Sequence, residues 1–359
     1  MTRPTQHHVN LVPESATSVT AEGGEEAQPG TQVVPGQRRR SRGGVGWFAI
    51  AERFGLLAVL GALVLVFSLL QPDIFPSAAN WQSIVASQSV VLIVALGLMV
   101  PLIAGNFDLS VGSVAILSSI VVAGAQQNHH APLWLACALG VASGVIVGII
   151  NGVLITKIRL NALIATLGSS VIIAGLVDAY TGGSSITNGI STSLTNFGNG
   201  RLVGISKLAI VAIIASLLVF YTLTKTPYGR RLFAIGSSKP AAELVGIRVD
   251  RVVLVSFLIS GTLGGIAGVL MLAQQGSGNP AANGISVLLP ALAAVYLGAS
   301  TLYPGEFNVP GTILGLVLVA ALVSGLTLEG VAAWVQPVAT GAALIVAVGA
   351  SEAFRRQRR

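Results

Sequence analysis

Ten apolar runs, each close to the length at which a helix crosses a bilayer, constrain this chain more than anything else in it. A helical span needs about 20 predominantly apolar residues. Such runs fall at about 54–71, 82–104, 110–126, 132–155, 162–178, 207–224, 252–273, 285–303, 309–327 and 332–350. Lipid offers the backbone no hydrogen bonds, so only helices and closed barrels span it, and runs of this length predict helices. The expected fold class is therefore an all-α polytopic membrane protein with about ten transmembrane helices. Of the residues, 53% are hydrophobic and 9% charged, against about 25% charged in soluble domains. The 43 glycines suit close helix packing in lipid.

The charges set the orientation. With the N-terminus in the cytoplasm, 18 of the 20 Lys and Arg residues fall on inner segments, and only Arg201 and Lys207 lie outside. This is the positive-inside pattern. Adding or losing one span would invert everything downstream, so the even count and cytoplasmic N- and C-termini go together. The net charge of +7 thus points to membrane orientation and anionic lipid rather than nucleic acid. Residues 1–46 are polar, Pro- and Gly-rich and end in a basic cluster, which predicts a disordered cytoplasmic tail. A membrane domain is expected over 47–352 and a basic cytoplasmic C-terminus over 353–359.

Between the second and third runs stands Gly105-Asn106-Phe107-Asp108-Leu109-Ser110-Val111-Gly112. A carboxylate between two uncharged apolar stretches costs a few kcal/mol or more unless partners or water attend it. Glycines on both sides allow the helix to break there, and non-helical backbone at membrane depth is tolerated inside protein or along a wet cavity. Asn106, Phe107, Asp108 and Ser110 are therefore candidates for a broken segment in a transport pathway. Asp108 has two possible roles: it lines the pathway, or it holds the break by accepting backbone hydrogen bonds. A solvated Asp in an ordinary surface turn is the simpler alternative. Gly305-Glu306-Phe307-Asn308 loosely echoes this stretch. Either an internal repeat, as transporters often carry, or coincidence between two Gly-rich turns accounts for the echo.

Catalytic chemistry finds little support. His7, His8, His129 and His130 lie in the tail or an outer loop, so no base stands beside a membrane-embedded serine. Adjacent His129 and His130 without a nearby carboxylate or thiol make a poor metal site, and none is expected. The lone Cys137 permits no intrachain disulfide. No G-x-x-x-x-G-K-[ST] run occurs. If nucleotide drives this protein, another subunit hydrolyses it, and this chain itself needs no cofactor.

The inner segment 225–251 contains Gly236-Ser237-Ser238-Lys239-Pro240-Ala241-Ala242-Glu243-Leu244-Val245-Gly246-Ile247, which reads as a short helix. Ser237 or Ser238 would cap it, Pro240 would sit in its first turn and Gly246 would stop it. Ala241, Ala242 and Val245 would face a partner's groove, Leu244 and Ile247 would anchor the helix to the membrane domain, and Glu243 would complement the helix dipole near its start. An inert loop helix is the alternative. The outer segment 179–206 is turn-rich, and either docks a partner or merely connects spans.

Taken together, Gly105 to Ser113, Asn151-Gly152-Val153-Leu154-Ile155-Thr156-Lys157, Ile164-Ala165-Thr166-Leu167-Gly168, Ala234-Ile235-Gly236 and Leu244-Val245-Gly246-Ile247 resemble the membrane permease subunits of bacterial ABC sugar importers. The ribose, xylose, arabinose and galactose permeases are the expected relatives. The resemblance runs in order over residues 50–350 and implies a permease in the bacterial cytoplasmic (inner) membrane that imports a small sugar or polyol. Its implied partners are a cytoplasmic ABC ATPase, an extracytoplasmic sugar-binding protein and a second permease chain, identical or not. It also implies that Ser238, Ala241, Ala242, Glu243, Leu244 and Gly246 belong to the helix that couples permease to ATPase, and that the segment around Asp108 is broken. Glu306 departs from the family pattern, leaving its role open. The competing expectation is a proton- or ion-coupled secondary transporter using Asp108.

Overall fold

The computed structural model describes residues 47–282, 284–301, 305–332 and 334–358. The expected tail over 1–46 and the turn at Pro304 lie outside the described residues. The chain is built from helices α1 (Trp47–Leu70), α2 (Ala78–Ile103), α3 (Val111–His129), α4 (Leu133–Thr156), α5 (Ala162–Thr181), α6 (Thr192–Asn199), α7 (Lys207–Lys225), α8 (Pro227–Ser237), α9 (Lys239–Leu244), α10 (Val249–Gln275), α11 (Gly284–Ala299), α12 (Val309–Leu328) and α13 (Val335–Arg358). A two-residue antiparallel pair, β1 (Arg201–Leu202) and β2 (Ile205–Ser206), joins α6 to α7.

Every apolar run coincides with a helix, but not every such helix is apolar enough to face lipid along its length. Among the described residues, six are able to cross a membrane by length and hydropathy: α2, α4, α5, α7, α10 and α12. Shorter apolar stretches lie within α1, α11 and α13. Helix α3 carries Ser113, Ser118, Ser119 and Gln126, all buried. It is enclosed by protein, so its outer surface need not be uniformly hydrophobic. The last helix continues past the apolar run to Arg358, where a separate basic tail is expected from sequence.

Helix α10 forms the centre, packed against α4, α3 and α2. The α4 contact is set by Gly144, Gly148 and Gly152, spaced four residues apart and so stacked on one face, while Gly140 meets Ser118 and Val122 of α3. A Cβ on Gly144 would strike the Gly261 carbonyl of α10, and one on Gly148 the Phe257 carbonyl. Close backbone approach of this kind substitutes dispersion contacts for a hydrophobic drive that lipid does not supply.

The segment 179–206 is more ordered than its turn-rich sequence suggests. Ile186 exchanges backbone hydrogen bonds with Gly278 at 2.8 and 2.9 Å. The Gln126 side chain of α3 accepts from the Ser191 N–H at 2.7 Å, and Gly198 of α6 seats against the Ala273 carbonyl of α10. Its polar loop backbone thereby finds partners on the helix ends.

Candidate functional site

The non-helical segment between α2 and α3 is held from both sides. Helix α2 stops in a Schellman motif: Gly105 takes the left-handed conformation, with φ of 79°. Asn106 N–H bonds the Pro101 carbonyl at 3.1 Å, and Gly105 N–H bonds that of Leu102 at 3.0 Å. Asp108 then folds back on the start of α3. Its Oδ1 accepts from Ser110 N–H at 3.0 Å and Ser110 Oγ at 2.6 Å. Both residues are 1% exposed. The buried Ser260 hydroxyl of α10 lies beside the same carboxylate but completes no hydrogen bond.

Helices α4 and α5 complete the stitching. Asn151, fully buried, donates from Nδ2 to Ser110 Oγ at 2.9 Å and accepts from Ser169 Oγ at 2.5 Å. Leu109 has both backbone groups satisfied by α5 side chains. Its N–H donates to Thr166 Oγ1 at 3.2 Å, and its carbonyl accepts from Ser170 Oγ at 3.3 Å. Buried backbone outside a helix would otherwise leave such groups unpaired. These partners, Asn151, Thr166, Ser169 and Ser170, receive no role from sequence reasoning. Asn151 and Thr166 stand inside the motifs that carry the family resemblance, which was the available signal.

Asn106 is half-buried and lines a small cavity of about 180 Å³ with Lys239 and Arg159. Phe107 is half-buried, and its carbonyl lies 3.4 Å from Thr166 Oγ1, whose proton goes to the nearer Ala162 carbonyl at 2.8 Å. Asp108 and Ser110 face inward and line none of the five cavities described for the chain. The α11–α12 connection has a related form. Gly305 is left-handed, with φ of 84°, and Asn308 Oδ1 accepts from Gly311 N–H at 2.7 Å to cap α12. A cavity of about 390 Å³ brings the two connections to one place, with Ile103 from the first, Gly305 and Glu306 from the second, and Gly236 and Ser237 from α8. Gly236 is pressed so closely on α2 that a Cβ would strike the Ile103 carbonyl.

The short helix expected over 238–247 differs from expectation in which face it shows. The segment splits: α8 ends at Ser237, and Ser238, extended at φ −158°, caps a separate six-residue α9 by accepting from Ala241 N–H at 3.4 Å. At its far end Gly246 N–H bonds the Glu243 carbonyl, and Ile247 N–H bonds that of Ala242, both at 3.0 Å. This is again a Schellman motif, whose hydrophobic contact pairs the residue after the glycine with the one five positions earlier. Ala242 is therefore turned inward, 3% exposed, with Ile247 packed into the same core. Leu244 and Val245 are 89% and 77% exposed. The expected assignment is thus corrected at two residues: Ala242 anchors the helix where a partner-facing side chain is expected, and Leu244 faces outward where an anchor is expected; Ala241 and Val245 face outward beside it. Glu243 lies in the last turn rather than the first, so it does not favour the dipole. Beside α9, Arg159 and Asp250 form a paired ionic contact at 3.0 and 3.1 Å between the α4–α5 loop and the start of α10.

His129 ends α3 and His130 follows it, and among the described residues no group of three His, Cys, Asp or Glu could hold a metal.

A sequence model for the branched-chain amino acid transport system / permease component family matches residues 80–348. The ribose import permease protein of Bacillus subtilis is 35% identical over 83% of this chain and 92% of its own length. That of Escherichia coli is 32% identical over 89% and 97%. The L-arabinose ABC transporter permease protein of Azospirillum brasilense is 30% identical over 92% and 95%. No solved structure matches the chain significantly.

Proposed function

Because this chain belongs to the branched-chain amino acid transport system / permease component family, we propose that it is the membrane subunit of an ATP-driven importer for a small sugar. The observation that carries this reading is the likeness to ribose permeases over more than four-fifths of the chain. The family description names amino acids, but relatives of this similarity carry ribose, allose and arabinose in their names. Ten spans with both termini in the cytoplasm of a bacterial inner membrane agree with the distribution of basic residues.

In this proposal a cytoplasmic ABC ATPase seats on α9 through Leu244 and Val245, a binding protein delivers sugar from outside, and a second permease chain completes the pathway. Nucleotide shifts the assembly between outward and inward states only if the ATPase binds α9 differently in each. Displacement of α9 reaches α10 through Ala242 and Ile247. Through α8 and Gly236 it reaches Ile103 and the stitched segment. Asp108 serves here as a positioning residue that fixes the start of α3.

The test is genetic. In cells carrying the permease with its neighbouring ATPase and binding-protein genes, uptake of labelled ribose, arabinose, allose and leucine is measured with and without the ATPase. Sugar uptake that disappears with the ATPase supports the proposal. Uptake that persists without it and stops with an uncoupler would favour a secondary transporter, and uptake of leucine alone would reassign the substrate.

A further inference from the structure

Of the cavities described, three exceed 400 Å³, and one of these differs in chemistry. The clefts of about 450 and 420 Å³ beside α7 are lined by side chains such as Leu217, Leu316, Leu218 and Ile266 and suit lipid chains. The third, of about 480 Å³, lies between α3, α5 and the start of α11 and contains Ser113, Ser170 and Asp178. Its volume falls within the range of roughly 300–1,000 Å³ usual for small-ligand sites.

The α5 wall is one helical face: Leu167, Ser170, Val171, Ala174 and Asp178 recur at three- and four-residue steps. From Leu167 to Asp178 this face runs about 16 Å along the helix. Its floor is the stitched segment itself, since Leu109 lines the cavity and its carbonyl accepts from Ser170 Oγ. A hydroxyl has one proton to donate. With that of Ser170 given to Leu109, the 2.8 Å contact with Ser113 has Ser113 as donor. Ser113 then keeps acceptor lone pairs for a ligand hydroxyl. Gly284, at the start of α11, packs against the Ser113 hydroxyl so tightly that a Cβ would collide with it, which fixes its direction.

Asp178 is exposed where the cleft meets the C-terminal end of α5. It lies in the last turn of α5, where the helix dipole disfavours a negative charge, and no basic residue shares that turn. Its carboxylate makes no hydrogen bond or ion pair among the described residues. Hydrocarbon against such a group would be costly, so water or a polar ligand is the fitting occupant.

We infer that the α3–α5–α11 cleft is the sugar-conducting site, with Asp178 receiving sugar hydroxyls at its outer end and Ser113 and Ser170 receiving them at its floor. The inference rests on the importer reading. It links the sugar to the coupling apparatus, because Ser170 touches both the cleft and the segment that α8 presses upon. The ligand class is a neutral polyhydroxy compound, for which a carboxylate and hydroxyls are suitable acceptors and donors.

The experiment uses the complete complex in proteoliposomes, with D-ribose, L-arabinose and D-allose as probes. Asp178→Asn and Ser170→Ala should each lower the import rate at least tenfold at unchanged membrane level and ATPase association, while Ser170→Thr should retain most of it. In a Cys137→Ser background, Ser170→Cys should react with a membrane-impermeant thiol reagent from outside and be protected by imported sugar. Ile172→Cys, on the opposite exposed face, should show no such protection. If the wild-type complex imports none of the sugars, the importer reading itself fails. If the wild type imports but Asp178→Asn matches it and Ser170→Cys is unprotected, the cleft assignment alone is overturned. Should Ser170→Ala fail to assemble, Asp178→Asn, at the exposed outer end, decides the matter.

Discussion

Replacing Thr166 with Val tests the stitched segment with the least disturbance, because the two side chains have nearly the same shape. Thr166 is fully buried; its oxygen accepts from Leu109 N–H at 3.2 Å and donates to the Ala162 carbonyl at 2.8 Å. Ala162 belongs to α5, so its carbonyl also has a helical partner and loses little. Leu109 N–H lies outside any helix and is left unsatisfied, at a cost of about 1–3 kcal/mol. At 1.4 kcal/mol per factor of ten, local opening of residues 104–110 should become about 5- to 140-fold more frequent. Amide hydrogen exchange of a peptide covering this segment reads that opening directly. Thr166→Ser keeps the oxygen and should exchange near the wild-type rate. A Val variant that is folded, inserted and exchanges like the wild type would refute the claim that α5 hydroxyls hold the segment.

Two substitutions on α9 separate its faces. Leu244→Asp changes a residue 89% exposed, so the permease should insert normally but lose co-purification with the ATPase and lose import. Ala242→Arg places bulk and charge into a site 3% exposed, where overpacking alone costs about 1–3 kcal/mol. It should therefore lower the amount of folded permease in the membrane, as measured by fluorescence-detected size exclusion, and normal levels would contradict the inward placement of Ala242.

Much of the helical layout was legible because a transmembrane helix announces itself by length and hydropathy alone. Asp108 was legible as a special point for the same reason, as a charge between uncharged runs. Its partners were not. Asn151, Thr166 and Ser170 are single polar residues in apolar helices, and only the folded arrangement shows that they meet residues 107–110. The face of α9 was misassigned because six residues make fewer than two turns, too few for periodicity to fix a direction. The Schellman geometry after Leu244 decides it instead. Helix α3 shows the converse: its hydroxyls lower its hydropathy, yet they are tolerated because neighbouring helices enclose them.

Reconstitution with purified partners separates ATP-driven from gradient-driven transport. Proteoliposomes containing this chain, its ATPase and an external binding protein loaded with labelled D-ribose are supplied with ATP on the ATPase side, or with a proton or sodium gradient and no ATP. An ATP-driven importer should accumulate sugar with ATP, stop when the ATPase is made hydrolysis-deficient, and accumulate none from the gradients. Accumulation driven by a gradient in the absence of ATP would contradict that reading.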